Sequence, residues 1–246
     1  MSKNVLVTGS SRGIGRAIAL RLAADEWRVA VHYAHDQRAA DEVAEQLGNR
    51  CLGVFQADLS DPGQAPQLWA AVAKTGPVHA LVNNAGIYEK LSFLDCGEEE
   101  FAGKWERTFR VNFWSPLALV RAACESFQAQ GGGAVVNVAS RVGHRGEAGA
   151  SCYSASKAAL LNLTRALAVE HAKLGIRHFA IAPGWVETAM AREGMEERLP
   201  QILADIPLGR MASPEDCAAA TAFLLREEAA YLSGIVVDIN GASYLR

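Results

Sequence analysis

No stretch of this 246-residue chain stays apolar for the eighteen or so residues that a membrane-crossing helix needs. Positive charge is not in excess either: 24 Lys and Arg stand against 27 Asp and Glu, a net charge of −3. That balance excludes the basic footprint of a nucleic-acid-binding surface. Cysteines are few: Cys51, Cys96, Cys124, Cys152 and Cys217, odd in number, scattered and without a CxxC pair. The pattern reads as reduced thiols in a cytosolic protein, with neither a disulfide framework nor a zinc site. His32 and His35 are metal ligands by type, but nothing near them completes a set, so no metal is expected. A positively charged leader is absent too, since Met1-Ser2-Lys3-Asn4 runs straight into an apolar segment, and a cytoplasmic location is expected. There is no Pro/Gly/Ser-rich linker, and the only low-complexity tract is Gly131-Gly132-Gly133. Residues 1–246 are therefore read as one domain.

What is present is an alternation. Hydrophobic residues make up 50% and charged residues 21% of the chain, as in an ordinary globular protein. Short apolar runs recur at Val5–Val7, Val29–Val31, Leu52–Phe55, Ala80–Val82, Val135–Val138, Phe179–Ile181 and Ile235–Val237. Continuous runs of this kind belong to strands buried on both faces. Longer segments with helical spacing lie between them, such as Ile14–Ala24 and Tyr153–Lys173. The expectation is an α/β fold: a doubly wound parallel sheet of Rossmann type, about seven strands, helices on both faces. Residues 188–207 carry weak strand signals and charged helical character, and read as a lid over the substrate.

The first strand run leads into Thr8-Gly9-Ser10-Ser11-Arg12-Gly13-Ile14-Gly15, which opens a helical pattern. Glycines there let the backbone approach a pyrophosphate, and the helix N-terminus offers N–H groups and a positive dipole end. The spacing departs from plain GxGxxG, so the placement between strand and helix carries the dinucleotide reading. The second strand ends Val31-His32-Tyr33-Ala34, with Tyr33 where NAD-binding folds place an acid. Arg12 can pair with a 2′-phosphate. NADP(H) is therefore favoured over NAD(H), although Asp36 lies close by.

Tyr153 and Lys157 are four residues apart, hence on one helical face. A free phenol has a pKa of about 10, and a neighbouring ammonium favours its ionised form. Such a pair can donate and accept protons, but the same spacing also describes a tyrosine and a lysine on any helical surface. Three other strand ends should meet it in one crevice: Asn83-Asn84-Ala85-Gly86, Ser140 after Val138, and Pro183-Gly184 with Thr188 beyond. Pro116, four residues after Asn112, cannot donate to the Asn112 carbonyl, so a helix there should kink and leave a water site.

With these motifs in this order over essentially its whole length, the chain resembles the short-chain dehydrogenase/reductase superfamily in its compact branch. The resemblance implies a hydride-transferring oxidoreductase acting on a small carbonyl or alcohol. Tyr153 would be the acid/base, Ser140 would orient the carbonyl, and Asn112 would hold a water linking Lys157 to solvent. Lys157 would bind nicotinamide-ribose hydroxyls and depress the Tyr153 pKa. Gly9, Ser11, Arg12, Gly13, Ile14 and Gly15 would cradle the cofactor phosphates, and Asp58 and Leu59 its adenine end. Asn84, Ala85 and Gly86 would support the cofactor side. Pro183 and Gly184 would also lie against the cofactor, and Val186 and Thr188 would hold the carboxamide. The pattern is most similar to β-ketoacyl-acyl-carrier-protein reductases. Two departures count against a carrier-protein partner: Gln130–Gly133 and His171–Leu174 hold one lysine between them, and the ending Asp238-Ile239-Asn240-Gly241 differs from the usual one. An NAD-dependent alcohol or sugar dehydrogenase, and a non-catalytic NADPH-binding regulator, remain open. Family members are usually homotetramers or homodimers, built through the helices holding Asn112 and Tyr153.

Overall fold

The computed structural model describes residues 2–189 and 198–245. Seven strands form one sheet: β1 (Asn4–Val7), β2 (Arg28–Tyr33), β3 (Cys51–Gln56), β4 (Ala80–Asn83), β5 (Gly133–Val138), β6 (Ile176–Pro183) and β7 (Val236–Ile239). Their order is β3-β2-β1-β4-β5-β6-β7, and every pairing is parallel. All seven apolar runs of the sequence fall in or against these strands.

Alternation within each run explains why both faces are covered. Val5, Val7, Val29 and Val31 pack on one side, with Ile18 and Leu22 of α1 (Gly13–Ala24) and Val43 of α2 (Gln37–Leu47). Cys217, Ala218 and Ala222 of the helix Pro214–Leu224 join them there. Leu6, Ala30 and Leu81 point to the other side. They meet Leu68 and Trp69 of α3 (Gln64–Ala73) and Leu119, Ala123 and Phe127 of α5 (Ser115–Ala129). Edge-to-face packing of Trp69 on Phe127, with centroids 5.6 Å apart, locks α3 to α5.

The order reverses between β1 and β4, so chain leaving these strands departs in opposite directions and opens a crevice at their carboxyl ends. α4 (Glu98–Phe109) leads towards that crevice, and α7 (Ser151–Glu170) runs along the sheet after the short helix α6 (Val142–Arg145). Between α4 and α5, the sequence predicts a kink at Asn112–Pro116. The chain instead widens into a π turn over Arg110–Trp114, in which the Ser115 N–H donates to the Arg110 carbonyl. Proline removes the ordinary i+4 donor, and one extra residue per turn absorbs the gap.

The lid expected over 188–207 lies partly outside the described residues, which exclude 190–197. Of its remainder, the helix Leu199–Ala204 packs Ile202 with Ile206 and Met211 in a small cluster against Trp185. Among the described residues, no helix is long and apolar enough to cross a membrane.

Candidate active site

The glycine turn is built by long-range hydrogen bonds. The Asn84 side chain, just past β4, donates to the carbonyls of Thr8 (2.9 Å) and Gly9 (3.1 Å). In return the N–H groups of Asn84 and Ala85 both donate to the Thr8 hydroxyl at 3.0 Å. Gly9 has φ +62°, a left-handed conformation that glycine adopts without strain. Gly15 tolerates no side chain, since a Cβ there would sit 2.3 Å from the Gly9 carbonyl oxygen and 2.4 Å from Asn84 Nδ2.

His32 completes this clamp, a role its sequence context does not single out. The Gly9 N–H donates to its Nδ1 at 2.8 Å, and its Nε2 faces the Ala57 carbonyl at 3.1 Å. Its backbone N–H donates to Ser10 Oγ, and its carbonyl accepts from the Ser10 N–H. The ring is therefore neutral with its proton on Nε2, and it joins β2, the glycine turn and the end of β3. A histidine at the end of an apolar strand, facing a glycine turn, is the signal that could have found it.

Burial lowers the His32 pKa from 6.5 to about 4, opposed by the Ala57 hydrogen bond. In the unfolded chain the ring protonates near 6.5, so as pH falls from there towards 4 the unfolded state takes the proton first. Stability is then lost on acidification, by about 3 kcal/mol over that window for this group. Urea unfolding between pH 7 and 4.5 should show a pH slope for the wild type that His32→Gln reduces by about one proton. Parallel profiles for the two proteins would refute the assignment.

The remaining groups converge on the N-terminal turns of α7. Ser140, two residues past β5, is buried; its Oγ accepts the Val142 N–H at 3.4 Å, and its hydroxyl lies near enough to Tyr153 to favour the ionised phenol. One turn along, the buried Lys157 Nζ donates to the Val138 carbonyl at 2.9 Å and lies 5.6 Å from the Tyr153 ring centroid. Asn112, fully buried in the π turn, donates to the Ile87 carbonyl (3.0 Å) and to Ser156 Oγ (3.2 Å), while its Oδ1 accepts from the Ile87 N–H (2.9 Å). The π turn is thus stitched to the loop after β4 and to the Tyr153 helix. A buried polar chain sets the depth of α7: Asn83 donates to Asn137, Asn137 to Thr164, and Thr164 to the Leu160 carbonyl, each at 2.9 Å.

The proton chemistry departs from one expectation. The resemblance predicts that Lys157 depresses the Tyr153 pKa. Burial instead pushes the phenol up to about 12, although the Ser140 hydroxyl pulls the other way. Burial also brings Lys157 itself down to about 8. The reason is geometric, because the ammonium is committed to the Val138 carbonyl, while the phenol of the half-buried Tyr153 is partly desolvated, with Tyr88 edge-on at 5.2 Å. At neutral pH the phenol is therefore protonated and the ammonium charged. Tyr88 and its neighbours Lys90, Ser92 and Phe93 line an open cleft of about 760 Å³ with Glu147, Ser151 and Arg198.

The other sequence candidates lie as follows. Ser11, Gly13 and Ile14 are half-buried at the head of α1, where Arg12 is the exposed N-cap residue. Thr188 faces the same turn, 3.5 Å from where a Gly13 Cβ would stand. Val186 bridges to Ala212. Pro183 closes β6, and Gly184 follows with its N–H on the Ile239 carbonyl. Gly86 lies so close that a Cβ would be 3.2 Å from Asn112 Oδ1 and 3.4 Å from Lys157 Nζ. The Asp58 carboxylate accepts the Ser60 N–H at 2.9 Å, which holds its pKa below the usual range, and Leu59 is buried. Tyr33 ends β2, half-buried, and the Asp36 carboxylate caps α2 by accepting the Ala39 N–H. Cys152 is buried beside Thr108, away from solvent.

Comparison with known proteins places this geometry. The family model described as enoyl-(acyl carrier protein) reductase matches residues 9–241. The 3-oxoacyl-(acyl-carrier-protein) reductase of Staphylococcus aureus strain Mu50 is 35% identical over 248 residues, covering 100% of this chain and 99% of the relative. Its counterpart from Escherichia coli K12 is 35% identical over 244 residues, covering 99% and 98%. Among solved structures, a putative NAD(P)-dependent gluconate 5-dehydrogenase from Beutenbergia cavernae, with bound NADP, superposes with TM-score 0.91 at 34% identity, covering 98% of this chain and 96% of that one. A 3-ketoacyl-(acyl-carrier-protein) reductase from Brucella melitensis complexed with NADH gives TM-score 0.90 at 29% identity, covering 99% and 98%.

Proposed function

The chain belongs to the short-chain dehydrogenase/reductase family and is an NAD(P)-dependent oxidoreductase acting on CH–OH donors; from that premise we propose that it reduces the ketone of a ketoacyl thioester, or a similar small ketone, with NADPH at Ser140, Tyr153, Lys157 and Asn112. The observation that carries this reading is the protonated Tyr153 phenol, close to Ser140, with Lys157 over its ring and Tyr88 of the cleft edge-on to it. A ketone oxygen placed between the two hydroxyls accepts from both. As negative charge develops on that oxygen, Tyr153 delivers its proton, and Ser140 fixes the direction from which the oxygen is held. Lys157 sits behind the ring as a fixed cation that favours the phenolate left after proton transfer. Asn112 positions the π turn and the Ser156 hydroxyl, which donates to the Tyr153 carbonyl at 2.7 Å. Water is restricted because both Ser140 and Lys157 are buried.

The dinucleotide, when bound, supplies the hydride. The residues present fit it. The first turn of α1 has no side-chain cap and no acidic residue, so its N–H groups stand ready for a pyrophosphate. Gly9, Gly13 and Gly15 bring no side chain to that approach, and Thr188 overhangs the turn. Preference for NADPH rests on Arg12 at the head of α1 and on Tyr33 ending β2 without a carboxylate. The one nearby acid, Asp36, is engaged as a helix cap.

Steady-state reduction of acetoacetyl thioesters and simple diketones should be at least about tenfold more efficient with NADPH than with NADH. Arg12→Ala should weaken NADPH binding by about tenfold, read as quenching of tryptophan emission, and leave NADH binding unchanged. A reversed preference, with turnover of sugar alcohols, would make the protein an NAD-dependent dehydrogenase. Cofactor binding without turnover of any carbonyl would make it a regulator.

The protein is also read as a homodimer or homotetramer. Phe93, Phe101, Trp105, Phe109, Phe113 and Trp114 form an unbroken ring-to-ring stripe along α4 and the π turn. Phe93 is 60% and Trp114 50% exposed, an apolar surface suited to a second copy.

A further inference from the structure

Far from the crevice, three side chains that no catalytic role uses converge from three elements. Cys124 comes from the middle of α5, His171 from the C-cap of α7 and His178 from the start of β6. His171 Nδ1 lies 3.0 Å from His178 Nε2, and Cys124 Sγ lies 4.0 Å from the same nitrogen. One donor atom from each residue falls within 4.8 Å of the other two. We propose that Cys124, His171 and His178 form a zinc site that ties α5, the end of α7 and the start of β6 together. The cysteine spacing in the sequence argues against zinc, but these three ligands are gathered by packing and not by spacing.

The donor set selects the metal. One sulfur and two imidazole nitrogens, with no oxygen ligand among them, suit Zn²⁺ and its neighbours and do not suit Mg²⁺ or Ca²⁺. On a tetrahedral zinc, two nitrogens stand about 3.3 Å apart, and nitrogen and sulfur about 3.6 Å. The observed 3.0 and 4.0 Å differ from these by a few tenths of an ångström, and the third pair, Cys124 to His171, lies within 4.8 Å, so side-chain rotation must draw the sulfur in. A histidine–histidine hydrogen bond alone accounts for less. It leaves the Cys124 sulfur with only a long contact. It also gives no reason for a fully buried imidazole in a strand that buries Ile176 and Phe179.

Binding has a definite proton balance. Zn²⁺ replaces the thiol proton of Cys124, which leaves to solvent. Both facing ring nitrogens must present lone pairs, so His178 carries its proton on Nδ1 and His171 on Nε2. The Glu170 carboxylate lies 3.7 Å from His171 Nε2, placed to draw in that proton and orient the ring. Without a cation, burial and the Glu125 and Glu170 charges push the Cys124 thiol up to about 12. Zinc must displace that tightly held proton, and the Glu125 and Glu170 charges are the part of these surroundings that favours a cation. His171 is half-buried and gives a path from solvent, which also supplies the fourth ligand. Eighteen residues of chain, about 27 Å if wholly helical, separate His171 from Tyr153. The zinc is therefore a structural staple with no part in proton transfer.

The test uses full-length protein dialysed against chelator and then given Zn²⁺ alone. One zinc ion per chain should remain after gel filtration, with a rise in melting temperature. Co²⁺ in its place should show thiolate-to-cobalt absorption in the near ultraviolet. Cys124→Ala and His171→Ala should each weaken zinc binding by more than about tenfold and abolish the cobalt band, while NADPH-dependent turnover stays unchanged. His171 is half-buried, so its variant should fold even if Cys124→Ala is destabilised. Absence of stoichiometric zinc, or binding retained in both variants, would overturn the proposal. Neither outcome bears on the Ser140–Tyr153 chemistry, which the turnover assay reads separately.

Discussion

Tyr153→Phe should lower the rate of carbonyl reduction by about 10³-fold, a loss of roughly 4 kcal/mol of transition-state stabilisation. The phenol is the group that delivers the proton, and its oxygen is the only heavy atom the substitution removes. The ring contacts survive: the phenylalanine ring would still meet Tyr88 edge-on and still carry Lys157 beside its face. NADPH affinity should therefore stay within about threefold, and unfolding should be little affected. Ser140 cannot take over, because an ordinary hydroxyl is a far weaker acid than a phenol. Single-turnover mixing of NADPH-loaded protein with an acetoacetyl thioester separates chemistry from binding. If the variant turned over within about tenfold of the wild type, proton transfer would have to come from elsewhere and the catalytic reading would fail.

The second large effect concerns one methyl group. Gly15→Ala should destabilise the protein by about 3 kcal/mol or more, lowering the melting temperature by roughly 6–12 °C. It should also weaken NADPH binding by more than about tenfold. The new Cβ would lie 2.3 Å from the Gly9 carbonyl oxygen and 2.4 Å from Asn84 Nδ2. Both neighbours are pinned: Gly9 by His32 and Asn84, and Asn84 by Thr8 and Gly9. Relief therefore means opening the turn itself, which is the surface offered to the cofactor. Gly103→Ala is the control. It sits in α4 with no described atom within 4 Å of the added Cβ, so it should be neutral or stabilise by up to about 1 kcal/mol. A Gly15→Ala protein as stable as the wild type, with unchanged cofactor binding, would show that the turn is not held as tightly as these contacts imply.

Much of the site is legible in the sequence because its signals are local. Tyr153 and Lys157 sit one helical turn apart, and helical periodicity alone puts them on one face. The glycines of residues 9–15 mark a strand-to-helix turn by spacing. Strand ends at Asn83–Gly86, Ser140 and Pro183-Gly184 follow from the apolar runs before them. Legibility stops where a group's behaviour depends on surroundings. The direction of the Tyr153 pKa shift runs against the sequence reading, because sequence shows the lysine four residues away but not the packing that desolvates the phenol or the Val138 carbonyl that takes the ammonium. The helix kink expected at Pro116 is a π turn, because the missing donor can be absorbed in more than one way.

The sequence by itself determined the α/β alternation, the parallel sheet, the cofactor turn and the Tyr–Lys pair, since each is written in periodicities of two, of 3.6, or in spacings of a few residues. Only the tertiary structure decided that His32 buttresses Gly9 across 23 residues, that Asn84 pins Thr8 across 76, and that Cys124 meets His178 across 54. Contacts of that range are set by how strands order and helices pack. Chain neighbours carry no record of them, and burial there decides which protons stay and which leave.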